Sequence, residues 1–144
     1  MTAYRSFDRF RFDTSTSYDW ESNLAALNYS SEINSRLSLK IMAAYSQFIS
    51  GIDNLEKGYE SRLRSSISQK EGKAVLEYQI NDNNKVTAGT NYIIYGVSPG
   101  IRTPTGNASN INPLAIQKEQ GREAAAFLSD EITFTDKITL QLGL

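Results

Sequence analysis

The chain has 144 residues, 40% of them hydrophobic, and a formal net charge of −1. It contains no Cys and no His, which excludes disulfide frameworks, thiol nucleophiles, CxxC zinc sites, Ser-His-Asp triads and HExxH metal sites. The balanced charge gives no electrostatic case for nucleic-acid binding. The length suits one domain at most, no stretch approaches the roughly 20 apolar residues of a membrane helix, and the first eleven residues lack the apolar core of a signal peptide.

Period-two alternation recurs along the chain and predicts an all-β protein. Near the start, Phe10 and Phe12 alternate with Arg9, Arg11 and Asp13. Over residues 23–33, Leu27, Tyr29 and Ile33 are in phase and Leu24 is out of phase. Residues 36–50 are the clearest case: Leu37, Leu39, Ile41, Ala43 and Tyr45 fall on one side of a strand, Ser38, Lys40, Met42, Ala44 and Ser46 on the other. Residues 73–80 repeat the pattern with Ala74, Leu76, Tyr78 and Ile80. Residues 85–97 continue it with Val86, Ala88, Thr90, Tyr92 and Ile94, although Ile93 and Tyr95 blur the upper end. Residues 117–134 are ambiguous: Glu123 to Leu128 favour a helix by propensity and Ile132 to Thr135 favour a strand. A strand is expected, with a short helix near 119–128 as the competing reading. Ile138, Leu140, Leu142 and Leu144 alternate at the end.

The connections alternate in length. Asn34-Ser35, residues 81–84 and Thr135-Asp136 are short and carry Asn or Asp, residues that tolerate left-handed backbone angles in hairpins. Residues 51–59 and 98–117 are long. The second holds Pro99, Pro104 and Pro113 and is not expected to be regular strand. A meander of about seven strands follows, over 4–13, 20–33, 36–50, 60–80 with a break near Gly72, 85–97, 118–134 and 137–144. Short turns at one end and long loops at the other are expected of an outer-membrane β-barrel, whose segments of about 10 residues alternate in polarity. In that arrangement Tyr45 and Tyr92 fall toward the external strand ends, and Tyr29, Tyr78 and Phe134 toward the periplasmic ends, as interfacial aromatic girdles.

Candidate chemistry is sparse. Asp130 and Glu131 are adjacent, and adjacent residues on a strand point apart, so they do not converge as paired carboxylates do in glycoside hydrolysis. Asp130 shares the phase of Leu128 and Ile132 and is expected near an interface, where a lipid-facing charge costs little. Arg62 and Arg64 share a side, with Lys70 and Lys73 further along. A lumen-facing basic stripe would attract an anionic solute, and an ordinary solvated strand face is the plainer reading. No catalytic, cofactor-binding or metal-ligating residue is expected, and no enzyme activity.

The stretch Glu123-Ala-Ala-Ala-Phe-Leu-Ser-Asp-Glu-Ile-Thr-Phe-Thr-Asp-Lys-Ile-Thr-Leu-Gln-Leu-Gly-Leu144 resembles a late barrel hairpin of TonB-dependent outer-membrane receptors. Lys85-Val-Thr-Ala-Gly-Thr-Asn-Tyr-Ile-Ile-Tyr-Gly-Val-Ser-Pro-Gly100 is similar to the preceding strand and its Pro-Gly passage into an external loop, and residues 36–50 to an earlier strand. The resemblance covers most of the chain. It implies a barrel of about 22 strands closed around a plug, importing a siderophore, cobalamin, a glycan or a similar large solute with TonB-supplied energy. The implied partners are outer-membrane lipid, the rest of the barrel and plug, the solute, and the TonB complex through the plug region. The plug is absent from residues 1–144, so the chain is expected to be an internal fragment with Met1 as a truncated or misplaced start. The implied cell location is the outer membrane, with residues 51–59 and 98–117 as the solute-facing loops. The alternatives are a small complete outer-membrane barrel, a soluble lipocalin-like barrel binding an apolar ligand, and an outer-membrane hydrolase, against which the absence of His counts. An open antiparallel sheet with one exposed apolar face favours the fragment; paired first and last strands favour a complete barrel.

Overall fold

The structure, a computed structural model, describes residues 1–11 and 13–144; Phe12, read above as an alternating strand residue, lies outside the described residues. The described residues form one antiparallel sheet: β1 (Thr2–Arg11), β2 (Thr16–Asn34), β3 (Leu37–Asn54), β4 (Ser61–Asn81), β5 (Asn84–Pro104), β6 (Leu114–Ala115), β7 (Glu119–Thr135) and β8 (Ile138–Gly143). The order across the sheet is β1-β2-β3-β4-β5-β7-β8, with β6 paired to the upper end of β5. Seven strands in an up-and-down meander, of 6 to 21 residues, are therefore present, as the alternation predicts. The first and last strands do not pair, and the sheet is open.

Three local expectations are corrected. β4 runs unbroken through Gly72, which pairs with Ala43 on one side and Tyr92 on the other. Two flanking strands supply the order that a lone glycine withholds. β3 continues to Asn54 and β5 to Pro104, so much of each expected loop is strand. Pro99 fits because the register shifts there: Arg64 opposes Ile101 and Ser66 opposes Ser98, leaving the intervening residues in a bulge. A bulge asks no ladder bond of the missing proline N–H, and the Ser65 hydroxyl donates to the Pro99 carbonyl at 2.7 Å.

The ambiguous alanine segment is strand. Ala124, Ala125 and Ala126 pair with Tyr92, Asn91 and Thr90, and this pairing overrides their helix propensity.

The short turns are built differently from expectation. No non-glycine residue has positive φ among the described residues. Instead each two-residue turn follows a side chain that accepts a backbone bond two residues on. Asn34 Oδ1 accepts from Arg36 N, Asn81 Oδ1 from Asn83 N and Thr135 Oγ1 from Lys137 N, at 2.9, 2.9 and 3.3 Å. A register irregularity accompanies each, at Glu32/Asn34, Gln79/Asn81 and Thr133/Thr135. The extra residue lets a right-handed turn match the strand twist, so Asn is used for its side-chain acceptor and not for a left-handed backbone.

The sheet is a single layer. Its accessible surface is 10401 Å², whereas a compact monomer of this mass exposes about 7,400 Å². Ile93 is the one buried hydrophobic side chain among the described residues. Among the described residues no second sheet or helix covers either face, so whatever stabilises the long strands beyond their ladders comes from the surroundings.

Candidate functional surfaces

Residues paired directly across a ladder point to the same side, so the register sorts the side chains. One cross-strand row runs Ala25, Tyr45, Lys70, Ile94, Arg122. Toward the short turns, the next rows on this face are Leu27-Ala43-Gly72-Tyr92-Ala124, Tyr29-Ile41-Ala74-Thr90-Ala126 and Ser31-Leu39-Leu76-Ala88-Leu128. This lower half is apolar. Leu37 to Tyr45 spans nine residues of β3, about 30 Å along the strand and about 23 Å of height at a tilt of about 40°. A membrane-crossing strand needs about 9–11 residues. β4 and β5 have 21 residues each, twice that length.

Above the row the same face turns polar. Asp19, Gly51 and Arg64 share one row with Arg9, and Ser17, Asp53 and Arg62 another with Arg11. The opposite face does the reverse. Its lower rows are polar, such as Glu32-Ser38-Glu77-Thr87-Ser129. Its upper rows are Phe10-Tyr18-Ile52-Leu63 and Ser22-Phe48-Ile67-Val97, with Trp20 between them. Polarity thus crosses from one face to the other halfway up the sheet.

The aromatic tiers follow this division. Tyr29 and Tyr78 stand toward the short turns and Tyr45 and Tyr92 at the upper border of the apolar half, all on one face. Tyr45 and Tyr92 lie near mid-strand and not at the external ends, because the strands continue well above the apolar half. Phe134 falls in the irregularity beside the last turn. The turns also step. Leu37, adjacent to the first turn, aligns through Tyr78 and Val86 with Asp130, six residues before Asp136 in the last turn. Such progressive stagger accompanies strand tilt in barrels.

Asp130 sits on the face of Leu128 and Ile132, opposite Val86 and level with Tyr78, at the height of the lower aromatic tier. Glu131 points to the other side and pairs with Lys85 at 3.4 Å. The two carboxylates do not converge. No cluster of three potential metal ligands occurs among the described residues.

The basic stripe divides. Arg62, Arg64 and Lys70 share the face whose lower half is apolar, and Lys73 lies on the other. At the upper end Arg62 and Arg64 each meet an aspartate from another strand. Arg62 forms a bidentate pair with Asp53, Nε donating to Oδ1 and Nη2 to Oδ2 at 2.6 Å. The hydrogen bond from Arg62 holds the Asp53 carboxyl below its ordinary range. Arg64 Nη2 lies 3.8 Å from Asp19 Oδ2. Asp19 is 3% exposed and lies over Gly51, where a Cβ would come within 2.6 Å of Asp19 Oδ1.

The two long connections form one unit above the sheet. The Asn110 amide donates to the Gly58 carbonyl at 2.8 Å, the Ser109 hydroxyl to the Glu60 carbonyl at 2.7 Å and the Thr105 amide to the same carbonyl at 3.1 Å. Gly58 has φ of 83°, a left-handed angle that glycine adopts without steric cost.

Sequence reasoning missed the upper aromatic surface. Its signal was an odd step in the apolar phase, from Tyr45 to Phe48 on β3 and from Leu24 to Leu27 on β2.

These features define an all-β, antiparallel open meander with two half-faces of opposite polarity. No known protein family, curated protein or solved structure matches the chain.

Proposed function

We propose that the chain is a stretch of the wall of an outer-membrane β-barrel, an active transporter of the TonB-dependent receptor type. The observation that carries the reading is the apolar half-face: one bilayer-height band of alternate residues, bordered by tyrosines, on strands that continue above it. In this reading lipid covers the lower half of that face, and the polar lower half of the other face lines the lumen. The upper half projects beyond the membrane, where Tyr18, Trp20 and Phe48 face the lumen and meet the solute. A siderophore, cobalamin or glycan presents rings and apolar faces to such a surface, and the interleaved Ser22, Ser50 and Ser65 offer hydroxyls. The role is transport, without catalysis by these residues. The plug and the TonB contact belong to segments outside residues 1–144.

The open edges of β1 and β8 support a wall segment over a complete small barrel. The lipocalin-like alternative requires those strands to pair and an apolar interior, and the sheet has neither. Open edges are not tolerated in lipid, so in this reading strands from elsewhere in the barrel pair with β1 and β8.

Sequencing the DNA on both sides of this reading frame tests the proposal. In-frame sequence for a plug upstream and for further alternating strands downstream is the expected result. Flanking DNA that encodes neither overturns it.

A further inference from the structure

The charges on the band-bearing face are unevenly placed. From the Asn23-Gln47-Ser68-Gly96-Gln120 row down to the Ser31-Leu39-Leu76-Ala88-Leu128 row, β2, β3, β4, β5 and β7 carry no carboxylate on this face. They carry two cations, Lys70 and Arg122, in one row and flanking Ile94. The salt bridges among the described residues involve neither of them. Tyr92 lies in the row immediately below Ile94, and Tyr45 pairs with Lys70. The two cationic strands, separated by β5, are about 10 Å apart, a span that the flexible Lys and Arg side chains close over Ile94. Both side chains are exposed.

We infer that Lys70 and Arg122 form a binding site for the phosphate of a membrane lipid headgroup, with the acyl chains lying below on the apolar band. The site rests on the membrane reading above and adds a specific lipid chemistry to it. At this height a phospholipid is matched in both halves: hydrocarbon against Tyr92 and the alanines beneath it, charge against the two cations. Arg offers a fork to two phosphate oxygens and Lys a compact charge. Above Lys70 on the same strand, Arg62 and Arg64 are taken up by Asp53 and Asp19, and Arg9 and Arg11 of the same rows lie on β1, three strands from Lys70.

The test uses the full 144-residue chain in dodecyl maltoside micelles doped with a fluorescent phosphatidic acid or with fluorescent phosphatidylcholine. Phosphatidic acid is expected to bind the more tightly, and K70Q/R122Q to weaken it about thirtyfold, at the strength usual for two cations near a lipid surface. The control K57Q/K73Q, with the same charge change off this surface, is expected to leave binding unaltered. Equal loss in both double variants, or no loss in K70Q/R122Q, overturns the site. Competition by inorganic phosphate at equal concentration would assign the site to a free anion and also overturn it. Failure of the membrane reading registers separately: in micelles of a brominated detergent, the tryptophan of W20F/L39W would then escape quenching.

Discussion

Tyr45 on β3 and Lys70 on β4 stand directly opposite each other, and the sheet changes character at their row. From them down to Leu37 one face is mostly apolar; above them that face carries Asp53, Arg62 and Asp19 while the apolar side chains move to the other face. A soluble sandwich keeps one face apolar along the whole strand. A wall that leaves the membrane partway up has no reason to, because its surroundings change from lipid to water.

A charge in the band is expected to cost more than a charge one residue away. Ile41 lies in the apolar half, opposite Tyr29 and Ala74, and Met42 points to the polar side, opposite Asn28 and Lys73. Lipid-facing arginine costs about 2–4 kcal/mol at a bilayer midplane. In micelles I41R is expected to lose strand circular dichroism at clearly lower urea than M42R. Equal midpoints would argue that detergent does not distinguish the faces.

The Asp53–Arg62 pair gives a pH dependence of definite sign. The Asp53 carboxyl is held below its ordinary value of 3.8, chiefly by the Arg62 hydrogen bond. A carboxylate with a lowered folded-state pKa adds stability above its unfolded pKa, and that increment is lost as pH falls through the folded value. NMR titration of the Asp53 carboxyl is expected to place it below its ordinary value, and R62Q to return it toward that value. An unchanged titration in R62Q would remove the pair from the account.

Gly89 and Phe127 are cross-strand partners, and a Cβ at position 89 would meet the Phe127 ring and lie 3.1 Å from the Ala74 carbonyl oxygen. G89A is expected to destabilise the chain by about 1–3 kcal/mol through overpacking. The cost should shrink in an F127A background, where only the carbonyl contact remains. Urea melts of the native chain, the two single variants and the double variant in micelles measure the coupling; strict additivity would show that the ring does not fill that space.

The strand pattern was legible because period-two alternation survives wherever one face meets a uniform medium. Leu37 to Tyr45 and Val86 to Tyr92 are such stretches, and the register brings their apolar residues to one face. The upper halves were obscured by the change of phase, and Ile93 and Tyr95 looked like noise because they belong to the other face. Pro99 and Pro104 suggested a loop, since no sequence pattern announces the bulge that accommodates Pro99. The aspartate partners of Arg62 and Arg64 were not legible either, because they come from β3 and β2 and depend on the register. The resemblance to TonB-dependent receptors remains a proposal about the use of the wall.

Trp20 is the sole tryptophan, which allows a direct measurement of the central claim that lipid covers only the lower half of one face. Three single-tryptophan chains suffice: the native protein with Trp20, and W20F carrying either L39W or S38W. In micelles of a brominated detergent, strong quenching is predicted for L39W and weak quenching for S38W, which differ by one residue, and weak quenching for Trp20, which sits above the band on the opposite face. Quenching of S38W or Trp20 equal to that of L39W would contradict the account.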